Sequence, residues 1–104
     1  MLDRLWTVSE GITRRYPGGN HPFQIMTRLL EECGELAEQV NHFETTGIKR
    51  QKLGQPDRAH LAKEVQDVIR CALQVAQYYE IRPELEESIS RSYDGLKPQS
   101  LLPG

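Results

Sequence analysis

The fold of this chain is decided by residues 57–80, which read DRAHLAKEVQDVIRCALQVAQYYE. The apolar side chains of this stretch recur at the i, i+3, i+4, i+7 spacing of an amphipathic helix. They are Leu61, Val65, Val68, Ile69, Ala72, Val75, Ala76 and Tyr79. Asp57 is a residue type that caps the first turn of a helix. The stretch is therefore predicted to form one long helix whose apolar face needs a partner.

The same periodicity predicts three further helices, at about residues 2–16, 22–44 and 83–93. A Pro-Gly-Gly break and a polar connector over residues 45–56 separate the first three helices from one another. The tail from Lys97 is predicted to be irregular, and the sequence contains no strand pattern or internal repeat. We therefore expect a single all-α domain over residues 1–104, an antiparallel bundle of about four helices.

Composition limits the class of protein. The 104 residues include 13 basic and 15 acidic ones. Because the chain has no excess of basic residues, we expect no nucleic-acid partner. No apolar run approaches the ~18 residues of a membrane span, and the N-terminal residues lack a signal-peptide core. Two cysteines without a secretion signal indicate reduced thiols, and we expect a cytoplasmic protein. A hydrophobic fraction of 38% leaves a thin core, which favours association between copies of the chain.

Acidic residues fall on helix faces that a simple amphipathic pattern would keep apolar. At ~100° per residue, Glu64 lies inside the apolar arc of its helix and Asp67 lies at the margin. On the second helix, Glu32 lies at the edge of the arc and Glu35 one step further round. An ionised carboxylate on a buried face is costly unless it is paired or bound to a metal. Glu64 therefore requires a partner.

The four acids form two i, i+3 pairs: Glu32 with Glu35, and Glu64 with Asp67. Residues three apart share one face of a helix. If the two helices pack antiparallel, the four carboxylates converge on one volume and repel one another. Cations would relieve that repulsion, and all-oxygen ligation suits Mg²⁺ or Mn²⁺ better than zinc or copper. The pattern therefore predicts a site for these metals.

Other interpretations of the same residues stay open. Acidic residues three apart are common on solvated helix faces, and Arg28 or Arg70 would also neutralise Glu64 through a salt bridge. A di-iron bundle is excluded, because no Glu-x-x-His pair is present. The histidines lack metal-ligand spacing and are interpreted as surface or boundary residues, and the cysteines as small core residues. They are His21, His42, His60, Cys33 and Cys71.

Two segments carry a family resemblance. LLEECGELAEQV spans residues 29–40 and EVQDVI spans residues 64–69, with 28 residues between Glu35 and Glu64. This arrangement resembles the EExxE, spacer and ExxD motif of the MazG-like, all-alpha nucleotide pyrophosphohydrolases. The resemblance implies an all-helical fold that assembles as a homodimer or a dimer of dimers. It also implies Mg²⁺-dependent cleavage of a nucleoside triphosphate between the α and β phosphates, to a monophosphate and pyrophosphate.

The same resemblance implies roles for individual acids. By it, the metal ligands are Glu32, Glu35, Glu64 and Asp67, for Mg²⁺ or Mn²⁺. Glu31 matches the extra leading glutamate of the motif, so Glu31 and Glu35 are the candidate catalytic residues for accepting a proton from the attacking water. Attack on a phosphorus flanked by anionic oxygens needs charge neutralisation and an oriented water more than a covalent nucleophile.

Phosphate and base contacts are marked only in part. Many members of the family carry a lysine, an asparagine and arginines after the last helix, but here those positions fall near Ser90, with Arg91 adjacent, and Asp94. A basic connector is usually only a solvated loop. Its basic side chains are nevertheless alternative candidates for binding phosphate. The candidate phosphate-binding residues are Lys49, Arg50, Arg58, Arg91 and Lys97. His21 and Phe23 are the candidates for stacking on a base.

The expected function is therefore a (d)NTP pyrophosphohydrolase, with house-cleaning of non-standard nucleotides as its expected role. The expected partners are the nucleoside triphosphate and further copies of the chain, in a homodimer or homotetramer. One alternative keeps the fold and changes the substrate to phosphoribosyl-ATP. Another is a non-catalytic helical regulatory or interaction module of the same fold, motivated by Asp94 at a position expected to face phosphate.

Overall fold

The computed structural model describes residues 2–45 and 48–103, apart from the side chains of Lys49 and Arg50. Five α-helices and a final 3₁₀ turn account for most of these residues. They are α1 (Leu2–Arg15), α2 (Pro22–Glu44), α3 (Ile48–Leu53), α4 (Arg58–Tyr78), α5 (Arg82–Leu96) and the turn Lys97–Gln99. No strand is present in the described part of the chain, so the predicted all-α class is confirmed.

The two long helices begin at capping residues that the sequence marks. At the start of α4, the Asp57 side chain accepts hydrogen bonds from the backbone N–H groups of Ala59 and His60, at 2.9 and 3.4 Å. At the start of α2, Nδ1 of His21 accepts from the Phe23 N–H at 3.3 Å. The Gln24 side chain accepts in turn from the His21 N–H at 3.1 Å. These caps satisfy N–H groups that the first helical turn leaves unpaired.

The described helices match the predicted ones to within two residues at their ends, apart from α3 and the end of α5, and the tail expected to be irregular begins with the 3₁₀ turn Lys97–Gln99. α3 lies inside the segment that was expected to be a connector without a helix. The segment has only two apolar residues, Ile48 and Leu53, and both are exposed. It therefore lacks the periodic apolar spacing by which a helix is predicted from sequence. α5 runs to Leu96 rather than residue 93, because the Ile89, Tyr93, Leu96 spacing continues the helical period. Thr46 and Gly47 of the predicted connector lie outside the described residues, and α2 ends at Glu44.

α2 and α4 pack against each other in antiparallel orientation, and α1 packs on α4. The direction follows from their contacts. Arg28, early in α2, donates to Gln74, late in α4, at 3.3 Å. Glu35, further along α2, lies beside Glu64, near the start of α4. Few apolar side chains are fully buried between the helices: Ile25, Cys71, Leu73 and Ala76.

A buried polar network joins α1 to α4. Gln74, only 4% exposed, donates from its amide nitrogen to Thr13 Oγ1 at 3.0 Å and to Asn20 Oδ1 at 3.1 Å. Ser9 donates to the Gln77 side-chain oxygen at 2.7 Å, and Gln77 donates to the Trp6 carbonyl at 2.9 Å. Because these polar groups satisfy one another, they fix the position of α1 where a larger protein would use apolar packing.

The two cysteines lie in different environments. Cys71 is fully buried, as predicted, and burial raises the pKa of its thiol, against the opposing effect of Arg70. Cys33 is exposed, so its expected place in the core is wrong. Val40 is exposed as well, whereas Glu32 is half-buried. α2 therefore turns the Glu32 edge of its apolar arc toward α4 and leaves part of the arc uncovered.

The chain is more extended than a compact monomer of its size. Its radius of gyration is 17.1 Å, against about 13 Å for a compact chain of this length. Its accessible surface is 7905 Å², against about 6,000 Å² for a compact monomer of this mass. α5 contributes to the difference, because none of its residues is buried. None of the described helices is long and apolar enough to cross a membrane.

Candidate metal centre

Three carboxylates from two helices converge at the α2–α4 contact. Glu32 and Glu35 project from one face of α2, and Glu64 projects from α4. One carboxylate oxygen from each lies within 4.8 Å of the others, and we call these three residues the carboxylate cluster. The antiparallel packing creates the cluster, because it brings the middle of α2 beside the first half of α4.

Two oxygens of the carboxylate cluster are buried without a hydrogen-bond partner: Oε2 of Glu32 and Oε2 of Glu64. Glu64 itself is only 8% exposed, which confirms that its side chain is turned inward. A buried carboxylate oxygen without a partner costs far more than an exposed one. A cation placed between the two oxygens would remove that cost. The donor set therefore fits a positively charged ligand.

The electrostatics of Glu32 are those of a crowded acidic site. Burial raises the pKa of Glu32 above its ordinary value, and repulsion from Glu35 raises it further. The negative charges of Asp67 and Glu64 act in the same direction. Glu32 therefore holds its negative charge at a cost that a bound cation would offset.

Glu64 has a histidine partner rather than an arginine. Nε2 of His60, one turn earlier on α4, lies 3.2 Å from Oε1 of Glu64. The arginine partners considered for Glu64 are placed elsewhere: Arg28 donates to Asn20 and Gln74, and the Arg70 guanidinium lies 4.0 Å from Asp67. His60 is exposed, in agreement with its interpretation as a surface or boundary residue, but its contact with Glu64 is not predicted by that interpretation. Its i, i+4 spacing from Glu64 was the available signal.

Asp67 lies next to the carboxylate cluster but is paired with cations of its own helix. Lys63 Nζ donates to Asp67 Oδ1 at 2.6 Å, and Arg70 Nε lies 4.0 Å from the same oxygen. Asp67 is close enough to raise the pKa of Glu32 by its charge. Of the four acids expected to bind metal, the structure thus brings three together and places the fourth beside them.

The two candidate catalytic acids differ in position. Glu35 belongs to the carboxylate cluster and is exposed, so its side chain is open to solvent from one side. Glu31 is exposed on the neighbouring face of α2 and is not one of the three converging residues.

The candidate phosphate-binding residues fall into two groups. Arg58 is exposed in the first turn of α4, six residues before Glu64, a rise of about 9 Å along the helix. Lys49 and Arg50 lie on α3, but their side chains are outside the described part of the structure. Arg91 pairs with Glu87, and Lys97 pairs with Asp94 at 3.5 Å while lying over the Tyr93 ring. The charges of Arg91 and Lys97 are therefore engaged within the C-terminal segment.

The candidate base-binding residues lie at the start of α2. The rings of His21 and Phe23 stack on each other, with centroids 5.3 Å apart and an interplanar angle of 30°. Nδ1 of His21 is used to cap the helix, and Phe23 is 79% exposed. Phe23 precedes Glu32 by nine residues, a rise of about 14 Å along α2.

The described helices define an all-α protein in which carboxylates of two antiparallel helices converge on one volume. The family model described as the MazG nucleotide pyrophosphohydrolase domain matches residues 21–95. Because the match covers well over half of the chain, the protein belongs to the MazG nucleotide pyrophosphohydrolase family. No curated protein and no solved structure matches the chain.

Proposed function

We propose that the protein is a Mg²⁺-dependent nucleoside triphosphate pyrophosphohydrolase that converts (d)NTP and water to (d)NMP and pyrophosphate. Membership of the MazG family supports a pyrophosphohydrolase-type hydrolase. The observation that carries the proposal is the pair of buried, unpartnered oxygens of Glu32 and Glu64 within the carboxylate cluster. Such oxygens are the ligands that Mg²⁺ and Mn²⁺ prefer.

In this proposal Glu32, Glu35 and Glu64 hold the metal, and Asp67 joins them after leaving Lys63. Bound Mg²⁺ would neutralise the charge of the triphosphate and lower the pKa of a coordinated water. The chain's own task is then to orient the attacking water and to accept its proton. Glu35 or Glu31 takes that proton, since a general base must lie within hydrogen-bond reach of the water.

Phosphate binding is assigned first to the basic residues of α3 and of the first turn of α4. Arg58 is on the same helix as Glu64, and Lys49 and Arg50 belong to the segment between α2 and α4. Arginine suits this task because its planar guanidinium matches two phosphate oxygens at once. Arg91 and Lys97 would have to leave their acidic partners to contribute. The exposed Phe23 ring, with His21 stacked on it, offers a face for the base.

We propose further that the working form is a homodimer or homotetramer. The accessible surface of one chain exceeds that of a compact monomer by roughly 1,900 Å², more than twice the ~800 Å² that each partner buries in a standard protein–protein interface. Part of it lies in a largely apolar groove between α1 and α4, whose wall also includes the polar side chains of Arg4 and Gln66. Its apolar lining residues are Leu2, Leu5, Val8, Ala62, Val65 and Ile69. A second copy of the chain would cover this groove and complete the thin core.

A nucleotide panel tests the proposed activity. The protein is incubated with canonical and non-standard (d)NTPs and with phosphoribosyl-ATP, plus Mg²⁺, and pyrophosphate release is measured. We expect release from at least one (d)NTP and its loss, by at least about a hundredfold, in Glu64→Gln. Glu38→Gln, an exposed carboxylate on α2, is the matched control and should keep full activity. If Glu64→Gln releases pyrophosphate as fast as the wild-type protein, the assigned site is wrong.

The alternative functions correspond to other outcomes of the same panel. Release from phosphoribosyl-ATP alone would change the substrate and keep the site. No release from any nucleotide, with intact metal binding, would favour the non-catalytic module. The pairing of Arg91 and Lys97 with acidic neighbours is the observation that favours that module.

A further inference from the structure

The position of His60 relative to the carboxylate cluster carries a further inference. His60 lies in the first turn of α4, and its side chain is 53% exposed. The Glu64 side chain, one turn later, is only 10% exposed. The histidine therefore reaches from the surface to a carboxylate that is buried, and it contacts that carboxylate from the solvent side.

The two oxygens of Glu64 have different surroundings. Oε1 lies 3.2 Å from His60 Nε2, whereas Oε2 is buried and has no hydrogen-bond partner. An ionised carboxylate can only accept hydrogen bonds, so Nε2 of His60 must carry the proton in this contact. The hydrogen bond fixes one oxygen and thereby fixes the rotation of the whole carboxylate group. The other oxygen is left for the cluster.

We propose that His60 is a positioning residue: it holds Oε1 of Glu64 so that Oε2 is presented to the metal. This inference rests on the proposed metal-dependent function, and it concerns how the chain prepares a ligand rather than which residues bind. Groups that hydrogen-bond to metal ligands commonly change metal affinity by about 10–100-fold when they are removed. His60 is well placed for this effect because no other hydrogen bond to the Glu64 carboxylate is seen within the described residues.

The test measures binding of Mn²⁺ itself, by calorimetry on the full chain at one fixed pH. Wild-type protein is expected to bind, and His60→Ala is expected to lose at least about tenfold in affinity. His60→Gln should recover most of that loss, because its amide N–H can donate to the same oxygen. His42→Ala is the matched control and should bind as wild type, since Nε2 of His42 contacts the Gly54 carbonyl at 2.9 Å, away from the cluster.

A double-mutant cycle separates positioning from a general structural effect. If His60 acts through Glu64, His60→Ala should have no further effect on Mn²⁺ affinity in a Glu64→Gln background. Equal losses in both backgrounds would overturn the inference. Thermal denaturation of each variant shows whether the fold is kept, and His60→Gln remains the decisive variant if His60→Ala is destabilised.

The positioning role of His60 and the proposed function can fail separately. Unchanged affinity in His60→Ala would overturn the positioning role and leave the proposed function standing. A directly coordinated imidazole nitrogen, detected by electron spin-echo modulation of bound Mn²⁺, would also overturn it, because His60 would then be a ligand. Wild-type protein that binds Mn²⁺ but hydrolyses no nucleotide would remove the proposed function and leave the inference intact. No binding at all by wild type would overturn both.

Discussion

Lys63 Nζ lies 2.6 Å from Oδ1 of Asp67, one turn further along α4. Arg70 lies on the other side of the same oxygen, at 4.0 Å. Asp67 is thus held by cations of its own helix, whereas Glu64, three residues earlier, is turned into the carboxylate cluster. If Asp67 is a metal ligand, a bound cation must compete with Lys63 for its carboxylate.

Replacing Lys63 should therefore strengthen metal binding. We expect Lys63→Met to raise Mn²⁺ affinity about two- to fivefold, because an exposed i, i+4 pair is worth only a few tenths of a kcal/mol. Loss of a nearby positive charge adds to the effect. Calorimetry at low ionic strength measures it, with Lys52→Met on α3 as the matched lysine control. Unchanged affinity would indicate that Asp67 stays with Lys63 when metal binds and is not a ligand.

The long helices could be predicted because their signals are local. Asp57 and Pro22 mark the starts of α4 and α2, and the apolar period runs through both. The inward position of Glu64 follows from that period alone, since the angle per residue is fixed within a helix. The resemblance of the two acidic motifs then supplies the partner helix and the family.

The other features of the site depend on how the helices pack and how side chains pair, and the hydrophobic period of a sequence does not determine either. Which edge of α2 faces α4 is set by packing, and the observed rotation leaves Cys33 exposed and Glu32 half-buried. Asp67 can pair one turn back or reach across to α2, and only the side-chain torsions distinguish these states. The contact of His60 with Glu64 is local, but i, i+4 spacing on a helix permits a side-chain contact without requiring one.

Glu32 should make the protein less stable when no metal is bound. Its pKa is raised in the folded protein, so the folded state binds the proton more tightly than the unfolded state. This contribution to the free energy of unfolding is fully present below about pH 4.3 and is lost as pH rises through the folded-state value. In EDTA at pH 7.5, Glu32→Gln is therefore expected to raise the thermal midpoint by a few degrees.

Two further conditions identify the cause of that difference. Near pH 4 the difference between the wild-type protein and Glu32→Gln should shrink, because Glu32 is then mostly protonated in both states. With saturating Mn²⁺ the order should reverse, since only the wild type gains binding energy from the metal. Glu38→Gln should show neither effect. A wild type that is the more stable protein in EDTA at pH 7.5 would contradict the prediction.

Gln74 should be a main support of the contact between α1 and α4. Gln74→Leu keeps the size of the side chain but leaves Thr13, Asn20 and Arg28 without this partner. We expect the free energy of unfolding to fall by about 1–3 kcal/mol, the cost of buried polar groups left unpaired. Urea denaturation at fixed protein concentration measures the change. The exposed Gln51→Leu should stay within about 0.5 kcal/mol of wild type, and an equally small change in Gln74→Leu would show that the network relaxes around the leucine.

The α1–α4 groove should be the contact that a second copy covers. Val65 and Ile69 line this groove and remain more than two-fifths exposed, as does Val8 opposite them. An arginine at position 65 would carry an unpaired charge into the interface, at a cost of about 3 kcal/mol, which corresponds to roughly a hundredfold weaker association. Light scattering after size-exclusion chromatography should therefore show an oligomer for wild type and a monomer for Val65→Arg at micromolar concentration. Leu101→Arg makes the same kind of change at an exposed residue of the tail and should remain an oligomer. If wild type is itself a monomer under these conditions, the groove is not a self-association surface, and the small core is sufficient for the fold without a second copy.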